Sequence, residues 1–447
     1  MDASRLDGLY FAHVADLERR YAKVLSEEGW DALAVHSGAL VLRSRFDDQS
    51  WPFRPCPHFQ HWLPLAEPEC LLVIRAGTRP ALIRYGGESF WEEPPRPESS
   101  AFEDALDVIE VPDLAAAKNL LPAGRVAFVG EDPARAVEWG IGPHAASPAA
   151  LVRALDALRT TKTSYEAECI AEANRRARAG HEALRDAFRG NDASELDLHL
   201  LFLRETAQDD PETPYKNIVA FGRHAATLHH VAYGRQASGR DAESLLVDAG
   251  ATCRGYGSDV TRTWVKGHGA AASAFAHIVA GVEAMQQRLC SSVQVGVPYE
   301  ALHDESHRQL AAVLRDAGVV RASQEEAVAT GVTRVFYPHG LGHSLGLQTH
   351  DVGCGLRAPR GENPFLRNTS TMAAGQVLTI EPGVYFIDSL LGALRADERS
   401  RQAVDWKLVD ELTPLGGMRI EDDVFVLEDG ARNFTREQLP IGGGRVG

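Results

Sequence analysis

The amino-acid sequence predicts an α+β protein, with an N-terminal α/β domain at residues 1–159 and a second domain at residues 160–447. In the second domain we expect a curved antiparallel sheet, backed by helices, with two halves related by a pseudo-twofold axis. Short apolar runs and helical patterns alternate up to about residue 158, and afterwards the order helix, helix, strands occurs twice. The two halves share no detectable sequence similarity. A length of 447 residues also favours two or three domains over one.

The first domain is predicted from a helix-like opening and four apolar runs with the length of buried strands. Asp132-Pro133 opens a short helix, because proline suits the first helical turn. No Gly-rich phosphate loop occurs, so nothing predicts a nucleotide site in this domain. The four predicted strands are Ala32–His36, Leu71–Ile74, Ala81–Tyr85 and Val126–Val129.

The second domain is predicted to begin with two helices. Thr163 and Glu166 form a capping-box pattern, so one helix runs from there to about Phe188, and another covers residues 194–206. Two amphipathic helices follow, one over residues 275–289 and one from Tyr299 to Gly318, which acts as its C′ residue. Further strands are predicted at residues 218–220, 333–336, 377–380 and 418–421, the last continuing into 424–426.

A hairpin formed by residues 244–250 and 256–263 carries the first candidate functional residues. Its bend lies at Cys253, Arg254 and Gly255. Folding about this bend predicts that Asp248 and Asp259 lie directly opposite each other. Like charges opposite each other destabilise a sheet, so this pair indicates a bound cation.

Three later segments supply further candidate ligands. His339, His343 and His350 lie in a Gly-rich stretch that does not suit a packed helix. A flexible polar loop is the alternative, but three histidines at this spacing favour a functional role. Glu381 ends a hydrophobic strand and precedes Pro382, which keeps it extended.

The third segment contains Glu421. Strand alternation places Arg419, Glu421 and Asp423 on one face. An exposed charged face is the default interpretation, and an inward face is the alternative that requires a metal or an ion pair.

Together these segments predict a metal centre of four carboxylates and one imidazole. Such an oxygen-rich set suits Mn²⁺ or Mg²⁺ better than the thiolate-rich sites that zinc prefers. Two metals about 3.5–4 Å apart can hold a nucleophilic hydroxide and polarise a carbonyl. Neither a G-x-S-x-G nor an H-E-x-x-H motif occurs. The predicted ligands are Asp248, Asp259, His343, Glu381 and Glu421.

Composition argues against several classes of partner and location. The net charge of −16 and the lack of a basic run argue against nucleic acid and anionic membranes. We expect no signal peptide and no transmembrane helix, because no apolar run is long enough. Six cysteines without a C-x-x-C motif are typical of reduced thiols in a cytoplasmic protein.

The five ligand segments resemble, in order and spacing, those of the pita-bread dinuclear metallopeptidases. Over nearly the whole chain the sequence is similar to the bacterial-type prolidases, or Xaa-Pro dipeptidases, and to the related organophosphorus acid anhydrolases. The further matching segments are residues 46–48, 52–53, 59, 62–64, 215–220, 364–367 and 386–392.

The resemblance implies a role for each candidate residue. Asp248 would chelate one metal, Asp259 and Glu421 would bridge both, and His343 and Glu381 would complete the second. Glu381 would also shuttle a proton. His339 and His350 would contact the substrate carbonyl and the tetrahedral intermediate. The implied substrate-binding residues are Tyr215, His229, Arg367, Arg419 and, reaching into a partner's site in a homodimer, Asp48.

The implied activity is hydrolysis of the trans peptide bond of Xaa-Pro dipeptides by a metal-bridging hydroxide, with two divalent ions per subunit. Mn²⁺ is expected, with Co²⁺ or Zn²⁺ as alternatives. An aminopeptidase P-like release of the N-terminal residue from longer peptides is the nearest alternative activity. Organophosphate triester hydrolysis is a conceivable side reaction. Methionine aminopeptidase is disfavoured by the large N-terminal domain, and metal-free enzymes or binding proteins by the intact ligand set.

Three details stay open at the level of the sequence. Arg419 could pair with Asp423 or with a ligand carboxylate instead of the substrate. His224 and His230 are predicted to be ordinary polar residues, although His230 stands where relatives usually have Tyr and could alter a pocket wall. Trp51 also stands where relatives carry a different aromatic residue.

Overall fold

A computed structural model of the chain describes residues 3–86, 93, 97–237 and 243–446. The chain forms two compact units, Met1–Cys169 and Ile170–Gly447. Both units contain helices and strands. Within the described residues, no helix combines the length and apolar character needed to cross a bilayer.

The first unit contains one mixed five-stranded sheet, in the order β4-β3-β2-β1-β5. All four predicted strands are confirmed. Strand β4 was not predicted, because its sequence DVIEV is short and lacks the apolar run of a buried strand. None of its positions is fully buried. The elements are α1 (Ala3–Glu28), β1 (Ala32–His36), α2 (Pro57–Gln60), β2 (Leu71–Ile74), β3 (Ala81–Tyr85), α3 (Ala101–Ala105), β4 (Asp107–Val111), α4 (Leu114–Lys118), β5 (Val126–Val129), α5 (Arg135–Glu138) and α6 (Ala149–Thr160).

The helices that follow confirm the capping and periodicity arguments. The Thr163 N–H donates to the Glu166 carboxylate at 2.8 Å and the Glu166 N–H donates to the Thr163 hydroxyl at 3.4 Å, which confirms the predicted capping box. In α9 the predicted apolar face is buried, and α10 is followed by Gly318 with a φ of +75°. These helices are α7 (Ser164–Arg189), α8 (Glu195–Thr206), α9 (Ala270–Ser291), α10 (Tyr299–Asp316), α11 (Gln324–Ala329), α12 (Val332–Phe336), α13 (Asp388–Ala396), α14 (Glu398–Gln402) and α15 (Trp406–Leu412).

The strands of the second unit form several small sheets. One has the order β16-β10-β7-β6 and another β11-β14-β15, while β12 pairs with β13 and β8 with β9. Helix α9 packs its buried face into the core beside β11 and β14. The strands are β6 (Ile218–Phe221), β7 (Ser244–Asp248), β8 (Thr252–Cys253), β9 (Tyr256–Gly257), β10 (Thr261–Val265), β11 (Val377–Ile380), β12 (Gly383–Tyr385), β13 (Gly417–Arg419), β14 (Asp422–Val426), β15 (Ala431–Asn433) and β16 (Gly443–Arg445).

The predicted register of the hairpin is wrong by two residues. Asp248 pairs with Thr261, not with Asp259. The bend lies at Arg254 and Gly255, with φ of +51° and +90°, as the two central residues of a tight hairpin turn require. A shift of two residues keeps each side chain on the same face of the sheet, so both aspartates still share a face.

Two other strand predictions need correction. Residues 333–336 belong to helix α12, although Val332, Thr333 and Val335 are β-branched residues that favour strands. Val332 and Phe336 are four residues apart and both buried, so packing of one helical face outweighs intrinsic propensity. The predicted run through residues 418–426 is two strands, β13 and β14, separated at Ile420 and Glu421.

Gly342 provides a test of how tightly the candidate site is packed. A Cβ at Gly342 would lie 2.2 Å from the Thr379 carbonyl oxygen and 2.5 Å from the Tyr299 hydroxyl. We expect Gly342→Ala to lower the free energy of unfolding by roughly 1–3 kcal/mol, measured by urea denaturation in the presence of a chelator.

The control is Gly392→Ala, because Gly392 lies in α13 and a Cβ added there would have no neighbouring atom within 4 Å. It should raise the free energy of unfolding by about 0.5–1 kcal/mol. Equal effects of the two substitutions would contradict the packing argument.

Candidate metal centre

Buried ligand atoms from distant parts of the second unit converge at one point. Asp259, His343 and Glu421 each offer an atom, and these atoms all lie within 4.8 Å of one another. Glu381 joins them, since its Oε1 is 3.8 Å from His343 Nε2. Asp248 is close enough to Asp259 for their charges to interact. The structure therefore brings all five predicted ligands together.

Strand pairing sets the position of the carboxylates. Asp248 ends β7 opposite Thr261, the first residue of β10. The Thr261 hydroxyl donates to Glu421 Oε2 at 2.7 Å, and the Glu421 N–H donates to the Thr261 carbonyl at 3.1 Å. The interruption between β13 and β14 thus turns Glu421 inward beside the end of the hairpin. Sequence reasoning did not identify this role of Thr261.

His343 presents one ring nitrogen to the carboxylates. Its Nδ1 lies 3.0 Å from the Ser344 carbonyl, which can only accept, so Nδ1 carries the hydrogen. The opposite nitrogen, Nε2, lies 3.4 Å from Asp259 Oδ2. A backbone carbonyl that fixes the tautomer in this way is typical of a metal-binding histidine.

Burial makes this group of carboxylates costly to ionise. It raises the pKa of Glu381 to about 7 and the pKa of Glu421 well above its usual range, with neighbouring carboxylates raising the latter further. Burial would lower the pKa of His343, but the hydrogen bond and charge of Asp259 raise it to about 9. Each raised pKa means that the group holds its proton more tightly than in water. A bound cation in place of that proton would also stabilise the group.

The donor set fits divalent cations. Asp248 Oδ1 is buried and has no hydrogen-bond partner within the described part of the chain. An orphaned buried carboxylate oxygen is unfavourable unless a ligand satisfies it. Four carboxylates and one imidazole provide the oxygen-rich coordination that Mn²⁺ and Mg²⁺ prefer. The exposed-face interpretation of Glu421 is wrong, since its residue is only 2% exposed.

Arg419 adopts one of the alternatives left open by the sequence. Its Nη2 donates to Asp248 Oδ2, its Nη1 to the Tyr385 hydroxyl at 2.8 Å and its Nε to the Thr261 hydroxyl at 3.1 Å. It therefore pairs with a predicted ligand and not with Asp423. The Asp423 carboxylate instead accepts the Asp259 N–H at 3.0 Å.

The two histidines beside His343 are neutral at pH 7. Burial lowers the pKa of His339 to about 3 and that of His350 to about 4. His339 Nδ1 donates to the Gly340 carbonyl, and its Nε2 lies 2.9 Å from the Tyr385 hydroxyl. The ring of His350 meets the ring of His343 edge-on at 4.5 Å between centroids.

Four of the five predicted substrate-binding residues belong to the second unit. The Tyr215 hydroxyl accepts the Val260 N–H at 3.4 Å and lies beside Asp248. His229 and Arg367 are exposed, and both lie close enough to His350 to interact with it electrostatically. Asp48 belongs to the first unit, where its carboxylate is exposed and accepts from the Gln49 amide.

A second group of potential ligands lies outside the predicted set. His224 and His230 both contact Glu195, and the three form a cluster of the kind that can hold a metal. Predicting His224 and His230 as ordinary polar residues missed this shared partner. Glu195 itself carried no sequence signal beyond its place after the Ser194 cap of α8.

Comparison with known proteins identifies the family. Residues 168–428 match the model of metallopeptidase family M24, and residues 8–157 match the Xaa-Pro dipeptidase N-terminal domain. The chain belongs to metallopeptidase family M24. This membership confirms the resemblance expected from the ligand segments and implies divalent metal ions.

Curated relatives that match over nearly the whole chain include Xaa-Pro dipeptidases. The chain is 42% identical over 431 residues to a Xaa-Pro dipeptidase of Marinobacter nauticus, covering 95% of this chain and 97% of that protein. It is 37% identical over 445 residues to a Xaa-Pro dipeptidase of Pseudoalteromonas atlantica, covering 97% and 99%.

Solved structures share the fold of this M24 protein. Pseudomonas aeruginosa aminopeptidase PepP matches with a TM-score of 0.73 and 22% identity over 96% of this chain and 95% of that one. Aminopeptidase P from E. coli matches with a TM-score of 0.72 and 21% identity over 95% of both. The predicted α+β pita-bread fold is confirmed.

Metal binding at this centre should release protons. A metal on His343 Nε2 and Glu381 replaces protons held with pKa values of about 9 and about 7. Affinity for Mn²⁺ should therefore rise with pH by at least about tenfold per unit between pH 6 and 8. Titration calorimetry in buffers of different ionisation enthalpy counts the protons released.

His277→Gln is the control, because His277 is an exposed histidine paired with Asp316 at 2.8 Å. It should leave the proton count unchanged, whereas His343→Asn should reduce it. An affinity for Mn²⁺ that is independent of pH would contradict the ligand assignment.

Proposed function

We propose that this M24 protein is a Xaa-Pro dipeptidase that uses two divalent metal ions. The observation that carries the proposal is the grouping of His343 with four carboxylates, three of them buried, in a chain related over nearly its full length to Xaa-Pro dipeptidases. Such a centre suits hydrolysis of a peptide bond without a Ser or Cys nucleophile.

The five converging residues would hold the ions. Asp248 would bind one, Asp259 and Glu421 would bind both, and His343 and Glu381 would complete the second. Bound there, the ions supply a water of lowered pKa and polarise the substrate carbonyl. The unpartnered Asp248 Oδ1, and His343 Nε2 facing Asp259 Oδ2 at 3.4 Å, support their assignment as ligands.

Glu381 is suited to move the proton. A carboxyl group beside the centre can accept a proton from the attacking water and return it to the leaving nitrogen. Glu381 Oε2 lies 3.6 Å from His339 Nδ1. His350 and His339 are neutral, and each can donate its single N–H to the substrate carbonyl or the intermediate, His339 by giving up the contact of its Nδ1–H with the Gly340 carbonyl.

Arginine would anchor the C-terminal carboxylate of the dipeptide. Arg367 is exposed close to His350, so its guanidinium is accessible for a bidentate contact. Arg419 is already held by Asp248 and Tyr385, so we assign it a secondary contact. Tyr215 and His229 would line the remaining substrate pocket. An end-charge anchor of this kind selects dipeptides over longer peptides.

A site that binds the substrate through metal ions and through its charged termini suits a Xaa-Pro dipeptide. The nitrogen of a Xaa-Pro bond has no hydrogen, so proteases that bind that N–H recognise it poorly. A cis bond would direct the two ends of the dipeptide elsewhere, so turnover requires the trans isomer.

Three finer assignments complete the proposal. Mn²⁺ is the expected metal, with Co²⁺ or Zn²⁺ as alternatives. A cytoplasmic location is supported by six unbridged cysteines. A homodimer, in which Asp48 reaches the partner's site, is supported by the exposed apolar residues Val41, Phe46 and Trp51 around it.

The direct test uses Gly-Pro and the variants Asp259→Asn and Glu421→Gln. The wild type should hydrolyse Gly-Pro after Mn²⁺ loading. Each variant should bind less metal and lose more than about a hundredfold in turnover, beyond the 10–100-fold cost typical of residues that only support a ligand. Glu305→Gln, which changes a carboxylate on α10 paired with Arg308, should match the wild type. Failure of the metal-loaded wild type to cleave Gly-Pro would refute the proposal.

Arg367→Ala tests the carboxylate anchor. Loss of one charged hydrogen-bonding group should raise KM for Gly-Pro by about 10–100-fold and leave KM for the Gly-Pro amide nearly unchanged. The control is Arg321→Ala, which removes a surface arginine paired with Asp405. Faster cleavage of Gly-Pro-Gly than of Gly-Pro would favour the aminopeptidase P-like activity instead.

A further inference from the structure

The segment from Phe221 to Gly234 carries His229 and has few regular elements of its own. It begins at the end of β6 and contains one short 3₁₀ helix, Gly222–Ala226. We call residues 221–234 the His229 segment. The role of His229 in substrate binding rests on the proposed function, whereas the contacts that hold the segment do not.

One buried carboxylate contacts both ends of the His229 segment. Glu195 Oε1 accepts the Phe221 N–H at 2.8 Å, and Oε2 accepts the Gly234 N–H at 2.6 Å. The same two oxygens contact His224 Nδ1 at 2.7 Å and His230 Nε2 at 3.0 Å. Four contacts from a fourteen-residue segment therefore meet on one side chain.

The surroundings of Glu195 make this contact rigid. Glu195 is the first residue of α8, and its side chain is 2% exposed. The Leu196 N–H donates to the Gly234 carbonyl at 3.1 Å, so α8 also binds the end of the segment through its backbone. The rings of His224 and His230 stack with centroids 4.4 Å apart.

The absence of a side chain at Gly234 lets its backbone approach the Glu195 carboxylate closely. A Cβ at this position would lie 3.1 Å from Glu195 Oε2, tighter than ordinary contact. Burial would raise the pKa of Glu195, but the backbone N–H groups of Phe221 and Gly234 and the two imidazoles hold it below its usual range. The carboxylate is therefore ionised at neutral pH and accepts strongly from all four groups.

The same three side chains have the donor types of a transition-metal site. Each carboxylate oxygen, however, already accepts a backbone N–H and lies within hydrogen-bonding distance of an imidazole. Both carboxylate oxygens of Glu195 are thus satisfied without an ion. The contacts favour a structural clamp over metal binding.

We propose that Glu195 is a positioning residue that clamps both ends of the His229 segment and thereby fixes His229 beside the metal centre. His230, the immediate neighbour of His229, is bound directly to the clamp. His229 lies close enough to His339 and His350 to interact with them electrostatically, so a displaced segment changes the substrate side of the centre without touching a predicted ligand.

The test combines Glu195→Gln with two readouts. In this variant an NH₂ group replaces one of the two Glu195 carboxylate oxygens. That NH₂ group faces the N–H of Phe221 or Gly234 and cannot accept a hydrogen bond from it. Hydrogen exchange of the amides in the His229 segment should accelerate at least about tenfold. KM for Gly-Pro should rise about tenfold, equivalent to 1.4 kcal/mol, with bound Mn²⁺ unchanged.

A double-mutant cycle separates positioning from general destabilisation. If Glu195 acts through His229, Glu195→Gln adds little to the loss in kcat/KM already caused by His229→Ala. The matched control is Asp197→Asn, because the Asp197 carboxylate caps the same helix by accepting the Ser194 N–H at 2.9 Å. It should weaken α8 without accelerating exchange in the His229 segment.

Unchanged amide hydrogen exchange in the His229 segment of Glu195→Gln would refute the clamp. The clamp would also be refuted if the losses in kcat/KM of the two single variants multiply in the double variant. Should Glu195→Gln fail to fold, Gly234→Ala replaces it and should shift both readouts in the same direction by a smaller amount. A wild type without Gly-Pro hydrolysis refutes the proposed function alone, and the exchange measurement then decides whether Glu195 holds the segment.

Discussion

The constraint on which the site depends is the burial of several carboxylates around one histidine. Burial raises the pKa values of Asp248, Glu381 and Glu421, and Arg419 neutralises part of the charge through Asp248. Ionised carboxylates are stable in such surroundings only when cations or hydrogen bonds compensate them. The folded chain therefore holds together carboxylate oxygens that are unfavourable to bury and that lack some of their hydrogen bonds. Divalent ions bound at this point would stabilise them.

The surrounding fold holds these oxygens from several directions. Thr261 orients Glu421, Asp423 holds the backbone of Asp259, and the Ser344 carbonyl sets the tautomer of His343. The His229 segment is attached differently, through one carboxylate on α8. Asp248 ends strand β7 and the other three predicted carboxylate ligands lie within two residues of a strand end, whereas His229 lies in the clamped segment. This division lets substrate contacts vary while the metal geometry is kept.

The sequence predicts the ligands well because each lies in a short local pattern. Asp248 and Glu381 end hydrophobic strands, and His343 lies in a Gly-rich stretch. What it does not predict depends on the conformation of a turn or on contacts between residues far apart in the chain. The hairpin register differs by two residues because the turn at Arg254 and Gly255 decides it. The clamp at Glu195 joins residues 26 to 39 positions apart, which no local pattern reveals.

The most direct test of the metal centre is anomalous diffraction from crystals loaded with Mn²⁺. The account predicts two anomalous peaks, about 3.5–4 Å apart, enclosed by the five predicted ligands. The absence of peaks there, or a peak only between Glu195, His224 and His230, would contradict it.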